Sequence, residues 1–208
     1  MDHDHTLEAR TIDTYLDMVA SDAPSPGGGS VAGVVAALGA ALGEMVINLT
    51  ESPADELVKA GERLASLRAS AVASGAADEL AYPAYLEASR MPKSTDEEKA
   101  RRKAMMQEAM QEAAAIPMQL AETAIDILET LQPVMLYGNP RVLSDAEVAM
   151  IFARACVDAS LVNVRVNLAY IRDPETTGHL AGHAHKIEQH AGQLVESLNR
   201  QLADRNHS

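Results

Sequence analysis

The first candidate site in the sequence is a run of three glycines, Gly27, Gly28 and Gly29, which leads into an uncharged segment of small residues. A glycine backbone adopts dihedral angles that are closed to other residues and can lie close to a ligand. The segment that follows predicts a buried helix, with Ser30 as its N-cap. Because the first N–H groups of a helix have no intrahelical partner, this junction favours a ligand-facing loop over a plain tight turn.

A nucleoside triphosphate loop is excluded, because the glycines lack the Gly-Lys-Ser/Thr ending of a P-loop and no predicted strand precedes them. Further along the chain, Asn163 and Asn167 lie four residues apart in an otherwise apolar segment. That spacing places both amides on one face of a helix. Since buried amides need hydrogen-bond partners, the pair predicts either a contact between two helices or a contact with a ligand.

Three more candidates carry charge or a hydroxyl group. Ser144 and Asp145 lie at a predicted helix start, where the serine is expected to cap the helix and the helix dipole to stabilise the aspartate. Asp78 belongs to a group of charged residues around Pro83, and the charge pattern alone is typical of a solvated surface.

His179, His183 and His190 share one helical face, at spacings of four and seven residues. No HExxH-type motif accompanies them, so the sequence predicts a surface helix and no metal site there. Cys156 is the single cysteine, which rules out an intramolecular disulfide and favours a reducing cytoplasm.

The chain has 208 residues and a net charge of −13, which disfavours a nucleic-acid or anionic membrane partner. Its first ten residues lack the basic and apolar regions of a signal peptide. The uncharged run 23–43 is opened by prolines and glycines, so it favours a core helix over a membrane span. Alanine, leucine, methionine and glutamate dominate, and no alternating strand pattern is present.

These features predict an all-α fold: one domain over residues 1–208, a bundle of about six or seven helices, with dimerisation through the small-residue helix. The predicted helices cover about 7–20, 30–50, 54–86, 94–137, 144–171 and 175–203. Pro83 is expected to disturb the third helix, and Pro117 to kink or divide the fourth. Capping boxes are expected at Ser94/Glu97 and at Ser144/Glu147.

Taken in order, these segments resemble the cyclodeaminase/cyclohydrolase family, which includes the formiminotetrahydrofolate cyclodeaminase domain and the methenyltetrahydrofolate cyclohydrolase of the serine cycle. The resemblance is carried by residues 24–50, Asp78-x-x-Ala81-Tyr82, Met91-Pro92-Lys93-x-Thr95-x-Glu97-Glu98-Lys99, Ile116-Pro117-Met118, Gly138-Asn139, Ser144-Asp145 and Asn163-Val164-x-x-Asn167-Leu168. Together they span most of the chain.

The resemblance implies an all-helical homodimer with a folate cleft near the helix ends and no metal or organic cofactor. The chemistry it implies acts on a one-carbon unit between N5 and N10 of tetrahydrofolate. In the hydrolase, water adds to the methenyl carbon and the ring opens to 10-formyltetrahydrofolate. In the deaminase, a formimino group cyclises to methenyl and ammonia leaves.

By this resemblance, the catalytic residues are Asp78, Asp145 and Lys93. The implied substrate-binding residues are Gly27, Gly28, Gly29, Ser30, Tyr82, Asn139, Ser144, Asn163 and Asn167. The two aspartates would stabilise cationic species and move a proton, while either one could be the base.

We expect hydrolysis of 5,10-methenyltetrahydrofolate, with a reduced folate as partner and the cytoplasm as location. The given chain carries no second, formiminotransferase-like domain, which favours this reading over the alternative, the ammonia-releasing cyclodeaminase. A third hypothesis is a diverged helical dimer that binds another small ligand without folate catalysis. It is motivated by the acidic segment 51–56, where the resemblance implies lysines.

Overall fold

The computed structural model describes residues 7–206, and within them the chain is helical with no β-strand. The helices are α1 (Ile12–Val19), α2 (Gly28–Asn48), α3 (Asp55–Arg90), α4 (Asp96–Tyr137), α5 (Leu143–Leu168) and α6 (Pro174–Asn206), with short 3-10 turns at Leu7–Ala9 and Pro140–Val142. The all-α prediction is confirmed. One continuous hydrophobic core joins helices α2 to α6.

Helix α2 is the centre of the bundle, packed against α3, α4 and α5. Its glycines allow backbone to lie against backbone. A Cβ atom added at Gly33 would lie 2.7 Å from the carbonyl oxygen of Ala71 and 2.9 Å from Gly75 Cα, both in α3. One added at Gly39 would lie 3.0 Å from the carbonyl oxygen of Ala149 in α5. The small residues of α2 therefore set how closely its neighbours approach.

By length and composition alone, α2 is the one helix of the described residues that could cross a membrane. Its contacts with three other helices of the bundle bury part of this apolar surface, and Leu38 belongs to the part that stays exposed. The sequence-based preference for a core helix agrees with this packing.

The prolines inside the two long helices do not end them, so the expectation that Pro117 divides the fourth helix is wrong. Pro83 lies inside an unbroken α3, and Pro117 is buried inside an unbroken α4. A proline removes only its own ladder bond, and packing against neighbouring helices holds the rest of each helix together. The first predicted helix is a 3-10 turn followed by the short α1, whose N-cap is Thr11.

The predicted capping boxes also need correction. Helix α4 is capped one residue later than predicted, because the Thr95 hydroxyl accepts from the Glu98 N–H and the Glu98 carboxylate accepts from the Thr95 N–H. Helix α5 begins at Leu143 with no side-chain cap, so Ser144 does not cap it. The Asn139 side chain instead accepts a hydrogen bond from the Arg141 N–H and caps the preceding 3-10 turn.

Helix α6 lies on α4 and α5, with its buried stripe formed by Ala184, Ile187, Ala191, Leu194, Leu198 and Leu202. The histidines flank this stripe at the surface. His183 Nε2 lies 2.7 Å from Glu122 Oε1, and His190 Nε2 lies 3.3 Å from Glu129 Oε1. Among residues 7–206, no three metal-ligating side chains converge on one point.

The α2–α3 contact gives the first testable prediction. We expect Gly33→Ala to lower the free energy of unfolding by about 1–3 kcal/mol, because its Cβ would meet the α3 backbone, which cannot move aside as a side chain can. The matched control is Gly178→Ala in α6, whose Cβ would meet no atom within 4 Å. That variant should be unchanged or more stable by up to about 1 kcal/mol. Urea unfolding measures both, and equal stability of the two variants would contradict the packing described here.

Candidate functional site

A cavity of about 260 Å³ opens at the N-terminal end of α2. The loop before α2 forms one wall, and α3, α4 and α5 form the others. Its lining residues are Pro24, Ser25, Gly27, Gly28, Gly29, Asp78, Ala81, Tyr82, Tyr85, Met110, Ala113, Asn163 and Asn167. The glycine loop, Asp78, Tyr82 and the two asparagines, all singled out from the sequence, therefore meet in one place.

The Asp78 carboxylate, which belongs to α3, caps the first turn of α2. Its Oδ2 accepts a hydrogen bond from the backbone N–H of Ser30 at 3.1 Å. Gly27 is the N-cap residue of α2 and has no side chain to cap with, so Asp78 supplies the acceptor that a capping side chain would otherwise provide. The prediction that Ser30 is the N-cap is wrong, since Ser30 is fully buried inside the first turn.

Gly29 is required by this contact. A Cβ atom at Gly29 would lie 2.2 Å from Asp78 Oδ1 and 2.5 Å from Oδ2, so any side chain there would displace the carboxylate. Gly28 is different, because its added Cβ would meet Asn163 Nδ2 at an ordinary 3.7 Å. Gly29 thus leaves room for the Asp78 carboxylate, while Gly28 exposes its backbone to the cavity.

Asn163 and Asn167 place both amides of α5 in the cavity wall. Asn163 Nδ2 donates to the carbonyl oxygen of Ala159 in its own helix at 3.3 Å. Asn167 Nδ2 donates across to the carbonyl oxygen of Ala113 in α4 at 2.5 Å. The sequence predicted either a hydrogen bond between two helices or a contact with a ligand. Asn167 makes the bond between helices and also lines the cavity. Each amide thus uses its Nδ2 in a bond within the bundle, and both residues line the cavity.

The cavity carries one acidic group and no lysine or arginine in its lining. Burial raises the pKa of Asp78 above its ordinary value, the Ser30 N–H bond opposes that rise, and the neighbouring Glu79 carboxylate adds to it. Asp78 is therefore a half-buried carboxylate that holds a proton more readily than a surface aspartate. A carboxylate whose pKa is raised in this way is suited to accept a proton and return it.

The other predicted site residues lie elsewhere in the chain. Asn139 sits at the far end of α2, where its N–H donates to Thr50 Oγ1 at 2.9 Å and its Nδ2 donates to the Leu49 carbonyl at 2.6 Å. Since α2 is a 21-residue helix, about 31 Å separates its two ends. Ser144 and Asp145 are in the first turn of α5, at that same far end.

A second cavity of about 360 Å³ lies beside Asn139. Its lining residues are Thr50, Glu51, Tyr137, Gly138, Asn139, Pro140, Arg141 and Arg205. Lys93 lines neither cavity and is exposed in the loop between α3 and α4. Within one chain, the predicted site residues therefore lie in two groups, one at each end of α2, and Lys93 belongs to neither group.

Sequence reasoning missed Tyr85, Met110 and Ala113 in the first cavity. Tyr85 follows Asp78 by seven residues and Tyr82 by three, which puts all three on one face of α3. That periodicity could have identified Tyr85. No comparable signal marks Met110, since a methionine in an amphipathic helix is most simply a core residue.

The fold and the cavity define an all-helical protein with an acidic, amide-lined pocket at a helix N-terminus. Residues 11–186 match the formiminotransferase-cyclodeaminase family, and the chain belongs to that family. It is 39% identical over 170 residues to the methenyltetrahydrofolate cyclohydrolase of Methylorubrum extorquens, covering 78% of this chain and 81% of that protein.

It is also 39% identical over 167 residues to the mouse formimidoyltransferase-cyclodeaminase, covering 76% of this chain but only 30% of that longer protein. Among solved structures, it is similar to the formiminotetrahydrofolate cyclodeaminase of Thermotoga maritima. The TM-score is 0.83 and the identity 26%, over 95% of this chain and 98% of that one.

The raised Asp78 pKa gives a stability prediction. In the folded protein Asp78 keeps its proton to higher pH than in the unfolded chain, so ionising it lowers stability as the pH rises through that range. Asp78→Asn keeps an oxygen for the Ser30 N–H without the charge. We expect it to raise the free energy of unfolding at pH 7 and to lose this advantage at about pH 3, where aspartates are protonated.

Urea unfolding at both pH values measures this difference. The control is Asp55→Asn, an exposed aspartate at the start of α3. A variant at Asp78 that is less stable than the parent at pH 7 and regains stability in acid would contradict the stated environment.

Proposed function

We propose that this protein hydrolyses 5,10-methenyltetrahydrofolate to 10-formyltetrahydrofolate. The observation that carries the proposal is the Asp78 carboxylate, held against the first turn of α2 in a cavity lined by amides and backbone. The similarity to a methenyltetrahydrofolate cyclohydrolase over most of both chains supports the choice of reaction. The scheme requires no metal or organic cofactor, and we place the reaction in the cytoplasm.

The reaction needs one group that moves a proton beside a cationic carbon. Water attacks the methenyl carbon, a C–O bond forms, and Asp78 takes a proton from that water. The tetrahedral intermediate then opens as the bond from this carbon to N5 breaks and Asp78 returns the proton to N5. The remaining hydroxyl proton leaves to solvent as the formyl carbonyl forms, so the reaction consumes one water and releases one proton.

The neighbouring groups suit these steps. The Asp78 carboxylate is attractive to the methenyl cation, and in a half-buried site this attraction is stronger than in bulk water. The amides of Asn163 and Asn167 offer acceptors that can orient water or pterin nitrogens. Gly28 and Gly29 open α2 and line the cavity, and the free N–H groups of a helix start would suit the oxygen of the tetrahedral intermediate.

We also propose that the protein works as a homodimer. Helices α2 and α5 carry apolar side chains that no described residue covers, with Leu38 50%, Ile151 53% and Val162 51% exposed. In a two-fold dimer that pairs these faces in antiparallel fashion, the far end of one chain meets the first cavity of the other. Asn139, Ser144 and Asp145 of one subunit would then complete the cleft that contains Asp78 of the other.

The alternative is the ammonia-releasing cyclisation of formiminotetrahydrofolate. It is favoured by the similarity to the Thermotoga maritima cyclodeaminase and the mouse protein. Both reactions pass through a tetrahedral carbon between two nitrogens, so Asp78 serves either one. Ammonia release from formiminotetrahydrofolate by the purified protein distinguishes the two.

The loss of methenyltetrahydrofolate absorbance tests the proposed hydrolysis. We expect Asp78→Asn to lower kcat by about 10²–10⁴-fold, because the variant cannot carry a proton. Asp126→Asn, which lines neither cavity and pairs with Arg63 on the exposed side of the bundle, should keep the parent activity. A parent protein that hydrolyses methenyltetrahydrofolate no faster than buffer would contradict the proposal. If the protein also binds no reduced folate, its ligand belongs to another chemical class.

Co-expression of two inactive variants tests the composite cleft. Asp78→Asn and Asp145→Asn should each be inactive alone, since every site in such a dimer lacks one aspartate. Random pairing of the two chains gives mixed dimers in which one site has both aspartates, so about a quarter of the parent activity should return. A monomer by light scattering, or no recovery in purified mixed dimers, would contradict the shared cleft.

A further inference from the structure

A largely buried ion pair lies directly behind the candidate site. Arg10 Nη1 donates to both carboxylate oxygens of Glu79, at 2.9 and 2.8 Å, and the two side chains are only 11% and 12% exposed. Glu79 follows Asp78 in α3, so the two carboxylates leave the helix on adjacent sides. The pair does not line the cavity, and its position calls for a role other than substrate contact.

Ser30 connects the ion pair to the site. Its hydroxyl donates to Glu79 Oε1 at 2.9 Å, while its backbone N–H donates to Asp78 Oδ2 at 3.1 Å. Because the Ser30 proton is used for Glu79, the hydroxyl of Tyr15 donates to Ser30 Oγ, at 2.8 Å. A single residue in the first turn of α2 therefore binds both carboxylates, one through its side chain and one through its backbone.

The same network attaches the N-terminal segment to the bundle, together with Leu7, which is buried against Gly75 of α3. None of the residues of α1 is buried, and Ile12 and Leu16 are 77% and 58% exposed. The segment is held near the site by polar bonds, from Arg10 to Glu79 and from Tyr15 to Ser30. The loop joins in as well, because Ser25 Oγ donates to the Glu79 carbonyl at 3.1 Å.

We propose that Arg10 and Glu79 are positioning residues for Asp78. Arg10 neutralises Glu79 and holds it on the Ser30 hydroxyl, which fixes the first turn of α2 and with it the N–H that binds Asp78. The N-terminal segment thus belongs to the catalytic architecture without touching the substrate. This inference rests on the proposed function only for the part that Asp78 plays in the reaction.

The charges around Asp78 predict the direction in which substitutions of Arg10 and Glu79 should shift the Asp78 pKa. Among the described residues that pack around it, the charged groups are Glu79 and Arg10. The other titratable groups are Tyr15 from α1 and Tyr82 and Tyr85 from α3, whereas the linings from α4 and α5 are Met110, Ala113, Asn163 and Asn167. Glu79 favours the protonated form of Asp78, and Arg10 offsets that effect by neutralising Glu79.

Removing the charge of Arg10 and removing the charge of Glu79 should therefore shift the Asp78 pKa in opposite directions. Arg10→Gln leaves a bare carboxylate beside Asp78, so its pKa should rise and the acid limb of the kcat profile should move to higher pH. Glu79→Gln removes the negative charge, so both should move to lower pH. Arg10→Lys keeps the charge and should restore the parent profile. Because Arg10 does not line the cavity, KM should change by less than about twofold.

The experiment is a pH titration of the full chain labelled with ¹³C at aspartate carboxyl carbons. The Asp78 signal is the one lost in Asp78→Asn. Arg63→Gln is the matched control, since Arg63 pairs with Asp126 on the exposed side of the bundle and should leave Asp78 unchanged. Circular dichroism checks that each variant is folded, and Arg10→Lys and Glu79→Gln keep the test open if Arg10→Gln does not fold.

Opposite shifts of the Asp78 titration in Arg10→Gln and Glu79→Gln support the inference. Identical Asp78 titrations in the parent and Glu79→Gln overturn it, as do shifts of the same sign in both variants. The carboxyl signal reports on Asp78 without any turnover. If the shifts occur but methenyltetrahydrofolate is not hydrolysed, the network stands and the proposed reaction fails.

Discussion

The hydrogen bond from the Ser30 N–H to the Asp78 carboxylate is the constraint on which the rest of the site depends. It joins the first turn of the central helix to the middle of a second helix. It exists because Gly29 has no side chain where the carboxylate lies. It also explains why a helix that starts with glycines needs no capping residue of its own. A carboxylate at the positive end of a helix is held firmly and remains close enough to solvent to exchange a proton.

The length of α2 places the residues singled out from the sequence at two separate ends of the molecule. One end has Asp78 and the amides of α5, and the other has Asn139 and Asp145. The small residues between them let α3 and α5 pack at backbone distance. The same helix leaves Leu38 on an apolar face that no described residue covers, and the proposed dimer uses this face to bring the two ends together.

Much of this could be predicted from local patterns. The glycine triplet, the i,i+4 asparagines and the helical composition are all signals within a few residues, and each corresponds to a feature of the structure. The misplaced caps came from the same kind of signal, because Ser94 and Thr95 both begin a plausible capping box and only backbone geometry decides between them. Pro117 does not divide its helix, because the lost ladder bond is a local cost and the burial of this residue is set by tertiary packing.

The interactions between distant segments could not be predicted from one sequence. Arg10 and Glu79 are separated by 69 residues, and neither lies in a motif that indicates the other. The same holds for Asp78 and Ser30, which are 48 residues apart. Only the packing of α3 along α2 sets these partners, so Asp78 could be singled out from the sequence but its hydrogen-bond partners could not.

A crystal structure with a bound reduced folate tests the central claim most directly. The account predicts that the bridge between N5 and N10 lies in the first cavity, with the one-carbon position within about 3–4 Å of an Asp78 carboxylate oxygen. The pterin should contact the amides of Asn163 or Asn167. A folate seated with its one-carbon position away from Asp78, or bound only beside Asn139 in the second cavity of its own subunit, would contradict the account.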